Sequence, residues 1–139
     1  MNRYLGLDLG TKTLGVSISD RSNTIIFPYK TIHFKKEDYD AAINEVKTIV
    51  EKEKITDIVI GLPKNMDGSL GFAAKRTMNF IPKLNNLGVN VYSVDERLTS
   101  VEAERLLHEN NLKSKDFKDK VDMEAAVLIL ESYLRSLDK

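Results

Sequence analysis

Two apolar runs, residues 4–9 (YLGLDL) and 14–19 (LGVSIS), stand either side of Gly10-Thr11-Lys12, and no other feature constrains the fold as much. The short gap predicts two strands joined as an antiparallel hairpin. One acid, Asp8, sits inside the first strand between Leu7 and Leu9. Both neighbours argue for burial, and an ionised carboxylate in an apolar strand is costly unless a partner compensates for it. Asp8 is there to hold a metal ion, to approach a nucleotide phosphate, or to cap local N–H groups of its own turn.

The rest of the chain extends this hairpin into a layered fold. Residues 23–34 (NTIIFPYKTIHF) predict a third strand, with Pro28 placing it at a sheet edge or bulging it. Tyr39, Ala42, Ile43, Val46, Ile49 and Val50 recur at helical spacing over residues 36–53. TDIVIGLP follows as a buried parallel strand. A loop, KNMDGSLG, leads to a helix from about Gly71 to Leu87, with Pro82 expected to bend or break it. GVNVYSVDE is a further strand, Thr99 or Ser100 caps the next helix, and a last helix spans about residues 120–137. Three meandering strands followed by βα units predict an α/β protein with a mixed five-stranded sheet and helices on both faces. A chain of 139 residues suits a single domain over 1–139.

Composition narrows the classes of function. Lys+Arg and Asp+Glu balance at 21 each, so bulk charge is a poor clamp for long nucleic acid and a local patch is needed. The densest basic stretch is KSKDFKDK, with Lys113, Lys115, Lys118 and Lys120, although Asp116 and Asp119 interrupt it. Cysteine is absent, which removes thiolate metal sites and cysteine nucleophiles. No run approaches the roughly 20 apolar residues of a membrane span, and MNRYLGLD lacks the apolar core of a signal peptide. The expected location is cytoplasmic, with no membrane partner.

Four loci carry candidate chemistry. In GLDLGTKTLG, glycines keep the backbone around Asp8 unobstructed, and a hard cation such as Mg²⁺ suits a strand carboxylate. The same Asp-x-Gly-Thr hairpin resembles the first phosphate loop of the actin/Hsp70/sugar-kinase ATPases. In GLPKNMDGSLG, Asn65 and the glycines permit unusual backbone conformations, and N–H groups at the following helix suit a phosphate, against the simpler reading of a connecting loop. VDERLTS ends an apolar strand, where sites of open α/β sheets form. Asp95 and Glu96 point to opposite faces if that strand continues, so one of the two joins Asp8. Arg97 contacts a phosphate or pairs with a carboxylate. In KVDMEAAVLIL, Asp122, Ala125, Ala126 and Ile129 share one helix side, and the small residues let that side approach the sheet. An acidic first turn that favours the helix dipole explains Asp122 and Glu124 equally well when taken alone. Convergence of three acids would raise a carboxylate pKa unless a divalent ion neutralises the group. Metal clustering is the economical account.

Together these motifs resemble the YqgF family of RNase H-like proteins, also called RuvX. LDLGTKTLGVSISD, GLPKNMDGSLG, VDERLTSVEAE and KVDMEAAVLILESYL fall in family order and span residues 5–134. The resemblance implies an RNase H-like fold and a metal-dependent nuclease of ribosome biogenesis that processes the 5′ end of pre-16S rRNA. It implies Asp8, Glu96 and Asp122 as catalytic residues and as ligands of Mg²⁺ or Mn²⁺, with Asp95 as second choice in its pair. Thr11, Lys12, Asn65, Arg97 and Thr99 are the expected substrate contacts, with the Lys113–Lys120 segment beside them. Two departures, Thr13 where the family often has Arg and Ser100 for a second Thr, bear on substrate grip rather than on the acids.

The expected partner is structured RNA, free or on the ribosomal particle, and the oligomeric expectation is a monomer or weak homodimer. One alternative is a Holliday junction resolvase that acts on branched DNA as a dimer. A two-domain ATPase fits the first motif but not the length. A non-catalytic ribosome or transcription module would bind without the three acids.

Overall fold

A computed structural model describes residues 2–98 and 115–137. Its elements run β1 (Tyr4–Leu9), β2 (Thr13–Ser19), β3 (Ile26–His33), α1 (Tyr39–Glu53), β4 (Asp57–Leu62), α2 (Phe72–Asn85), β5 (Asn90–Asp95), a 3₁₀ turn (Glu96–Leu98) and α3 (Lys115–Ser136). The sheet order is β3-β2-β1-β4-β5. β1 pairs antiparallel with β2 and parallel with β4, and β4 pairs parallel with β5. The expected mixed five-stranded sheet is therefore present. β1, β4 and β5 point the same way, so their C-terminal ends share one edge of the molecule.

Side-chain alternation divides the sheet into two unequal faces. Leu5, Leu7 and Leu9 of β1, Leu14, Val16 and Ile18 of β2, and Ile58 and Ile60 of β4 pack with Ala42, Val46 and Ile49 of α1 and Phe80 and Leu84 of α2. The other face meets α3 through Ala125, Ile129 and Leu130, packed with Tyr4, Val59 and Val94. That face is made of small residues near its middle. A Cβ on Gly6 would lie 2.8 Å from the Ala126 carbonyl oxygen, and one on Gly61 would lie 2.7 Å from Glu96 Oε1. Ser17 Oγ, fully buried, donates to the Ala126 carbonyl at 2.8 Å. α3 thus lies unusually close to the strands, as the Ala125–Ala126 pair predicts.

Several local expectations gain a physical explanation. β3 is an edge strand, and its pairing shifts register between Val16 and Ser17, so that Lys30 and Pro28 are successive partners. Pro28 thus satisfies both predicted roles. α2 continues through Pro82, which stands in its last turn, to Asn85. α3 begins at Lys115, five residues before the predicted start. Its first turns are fastened to β3 by Thr31 Oγ1, which donates to the Asp119 carbonyl at 2.8 Å, and by His33 Nε2 at 2.9 Å from Asp119 Oδ2. The helix predicted after Thr99 or Ser100 lies outside the described residues. No described helix is long and apolar enough to cross a membrane.

Candidate active site

Asp8 occupies the penultimate position of β1 and faces the α3 side, in line with Tyr4 and Gly6. Its register partner on β2 is Gly15. The Cβ position of Gly15 falls against Asp122 of α3, 2.6 Å from that residue's carbonyl carbon. A side chain there would hold the helix off. Its absence brings the Asp122 segment beside the strand pair that carries Asp8. Glu96 arrives from the opposite direction. β5 ends at Asp95, and the 3₁₀ turn carries Glu96 back under Gly61, where it is 1% exposed.

Asp8, Glu96 and Asp122 line one cleft of about 320 Å³ together with Lys12, Arg76 and Lys118. Acids and cations thus share the walls. The β1–β2 turn that presents Thr11 and Lys12 is built firmly. Gly10 N–H donates to the Thr13 carbonyl at 2.8 Å, Phe34 N–H to the Lys12 carbonyl at 3.0 Å, and Glu37 N–H to the Thr11 carbonyl at 2.9 Å. Thr13 also lines the cleft.

The Asp95–Glu96 pair separates sharply. Asp95 binds its neighbour: Arg97 Nη2 donates to Oδ2 at 2.6 Å, Arg97 Nε reaches both carboxylate oxygens at 3.1 Å, and the Arg97 backbone N–H donates to Oδ1 at 2.9 Å. These bonds hold the Asp95 carboxyl below the usual carboxylate range and raise the guanidinium in return. Arg97 also donates to the Met66 carbonyl at 3.4 Å. Its position therefore matches the carboxylate-pairing reading. Asn65 lies in the loop after β4, where its amide bonds Ser69 Oγ at 3.0 Å. Neither Asn65 nor Arg97 lines the cleft with the three acids. Thr99 lies outside the described residues.

Arg76 is the cleft cation that motif reading missed. It follows the cleft residue Ala73 by three positions on α2, whose start follows the loop that leaves the β4 C-terminus. That placement was the available signal, since a helix entered from a site edge turns its i and i+3 residues to the same side. Lys118 comes from the basic KSKDFKDK stretch, whose described residues, from Lys115 on, belong to α3, while Lys113 lies outside the described residues.

The donor chemistry fits a hard cation. The ionisable ligands in the cleft are all carboxylates, with neither imidazole nor sulfur among the lining side chains. Among the described residues no group of three His, Cys, Asp or Glu side chains is arranged to hold a metal ion by itself. Mg²⁺ commonly takes one or two carboxylates and completes its shell with water and substrate phosphate.

Known proteins resemble this chain in sequence or in fold. A family model described as "RuvX: Holliday junction resolvase" matches residues 2–136. A protein of Lactococcus lactis subsp. cremoris is 40% identical over 133 residues, covering 95% of this chain and 93% of that one. One of Clostridium acetobutylicum is 41% identical over 136 residues, covering 97% and 99%. Both bear the name "Putative pre-16S rRNA nuclease". Among solved structures, Thermus thermophilus RuvC with a Holliday junction substrate superposes with a TM-score of 0.60 at 14% identity, over 98% of this chain and 96% of that one. A fowlpox virus resolvase bound to junction DNA gives 0.55 at 17% identity, over 99% of each chain. These likenesses show the fold, which is RNase H-like.

Proposed function

The chain belongs to the RuvX family, and from that premise we propose that it is a divalent-metal-dependent nuclease that hydrolyses phosphodiesters in ribosome biogenesis. Its substrate is precursor 16S rRNA, processed at the 5′ end, and it works in the cytoplasm as one domain. The relatives named for pre-16S rRNA support the substrate class, at about two-fifths identity over nearly the whole chain. The observation that carries the chemistry is the single cleft shared by Asp8, Glu96 and Asp122 with Lys12, Arg76 and Lys118.

Asp8, Glu96 and Asp122 would hold Mg²⁺ or Mn²⁺, each ion by one or two of these carboxylates. When bound, the cation supplies charge stabilisation at phosphorus and a more acidic water. The chain's own contribution is placement. Gly15 and Gly61 leave room for α3 and the Glu96 turn to approach the sheet beside the strand that carries Asp8. Lys12, Arg76 and Lys118 bring the negative backbone against a wall of acids that would otherwise repel it. Thr11 holds the turn beside them, and Asn65 and Arg97, outside the acid cleft, would contact more distant parts of the substrate, as would Thr99, which lies outside the described residues.

Cleavage of a precursor 16S rRNA fragment tests this reading. The wild type with Mg²⁺ or Mn²⁺ should cut it, chelation should stop the cut, and Asp8→Asn should abolish it while the circular dichroism spectrum is unchanged. Undiminished cleavage by folded Asp8→Asn sinks the assignment.

A second reading follows from the family's description as a Holliday junction resolvase. The same cleft would then cut branched DNA, and two symmetry-related sites would be required. Resolution of a four-way junction by a dimer, with precursor RNA left intact, would select it.

A further inference from the structure

Phe72 is 89% exposed and Met66 is 88% exposed, although both belong to a segment with a fixed shape. The segment leaves the cleft wall at Pro63 and returns to it at Ala73. Between these points Asn65 N–H donates to the Ser69 carbonyl at 3.0 Å and Gly68 N–H to the Asn65 carbonyl at 2.8 Å. The Asp67 carboxylate takes the Ser69 hydroxyl at 2.6 Å and its N–H at 2.9 Å. Gly68, at φ 89°, makes the reversal that other residues rarely make. Arg97, locked on Asp95, reaches the Met66 carbonyl from the end of β5. The frame therefore presents its apolar side chains to water at the rim of the cleft.

A large aromatic side chain held in solvent forgoes the free energy of burial that it would gain elsewhere. Its surroundings indicate what it meets. Phe72, Lys75 and Asn79 lie on the outer side of α2, while Ala73 and Arg76 turn into the cleft. A strand that passes out of the cleft over the first turn of α2 meets a cation for its phosphate and a ring face for its base. Every base has a π-face, whereas paired bases are already stacked and out of reach.

We propose that Phe72, the first residue of α2, is the platform on which an unpaired base flanking the scissile phosphate stacks. This makes single-stranded flanks the preferred context. The inference rests on the nuclease reading above, and it adds a specificity residue outside the acid cleft.

The test is steady-state cleavage of two RNA substrates, one with a single-stranded flank and one with the same flank annealed to a complementary oligonucleotide. Wild type, Phe72→Ala and Phe72→Trp are compared on each. The expected result on the single-stranded flank is a KM raised about tenfold by Phe72→Ala with kcat unchanged, and recovered by Phe72→Trp. On the annealed flank the three proteins should be alike. Equal KM values on the single-stranded flank overturn the inference while leaving the nuclease reading intact. So does an equal defect on both substrates. A defect seen on the ribosomal particle but not on naked RNA assigns Phe72 to a protein partner and also overturns it. Failure of the wild type to cut either RNA withdraws the nuclease reading, and the platform with it.

Discussion

Gly15 of β2 carries the backbone of Asp122 against its bare Cα, one strand position across from Asp8. Two acids separated by more than a hundred residues are thus brought to one place by a missing side chain. In Gly15→Ala the new methyl would lie well inside the 3.0 Å that real Cβ atoms keep, and the atoms it meets are backbone. α3 must shift. Overpacking of this kind costs about 1–3 kcal/mol. A lower midpoint in urea is expected, together with cleavage reduced at least about tenfold. Normal cleavage at a lowered midpoint would show that the position of α3 is not what sets the site.

Not every buried acid belongs to the cleft. Asp57, 1% exposed, lies at the start of β4, near the opposite ends of the strands. It accepts from Thr56 Oγ1 at 2.6 Å, Asn90 Nδ2 at 3.0 Å and Tyr92 OH at 3.3 Å. Asp57→Ala would strand these donors, at a cost of about 1–3 kcal/mol. Denaturant unfolding should record that loss, while kcat per folded molecule stays at the wild-type value.

Among the described residues, the hairpin, the order of strands and helices, and the inward side of α3 were legible, because alternation and helical spacing report directly on which face is buried. The start of α3 was not. Lys115 to Lys120 is polar and reads as a loop, and its helical state depends on bonds from Asp119 to Thr31 and His33, about ninety residues away. The site was legible in part for the same reason. Asp8 stands out as a charge in an apolar strand, but choosing Glu96 over Asp95 depends on where β5 ends. Arg76 carried no mark in its residue type, since an arginine on an amphipathic helix is ordinary; only the start of α2 after the loop from β4 pointed to it.

The Asp95–Arg97 pair predicts a pH dependence. The guanidinium lowers the folded-state pKa of Asp95, so the pair contributes stability above the unfolded carboxylate pKa of about 3.9. That contribution is lost as pH falls through the lower folded value. Urea unfolding of wild type and Asp95→Asn should differ by a constant amount above about pH 5 and converge below pH 4. A difference that grows as pH falls would contradict the pairing.

Lys12 and Arg76 face the same cleft from different elements. If both meet phosphates, Lys12→Ala and Arg76→Ala should each raise KM and reduce the salt dependence of log KM by about one unit of slope. An unchanged slope would move that residue off the substrate path.

Anomalous diffraction from crystals soaked in Mn²⁺ tests the metal centre most directly. The account predicts a peak in the cleft within coordination distance of Asp8 and of Glu96 or Asp122, lost in Asp8→Asn crystals of the same form. An empty cleft at saturating Mn²⁺ in the presence of a bound oligonucleotide, or a peak that avoids all three carboxylates, would contradict it.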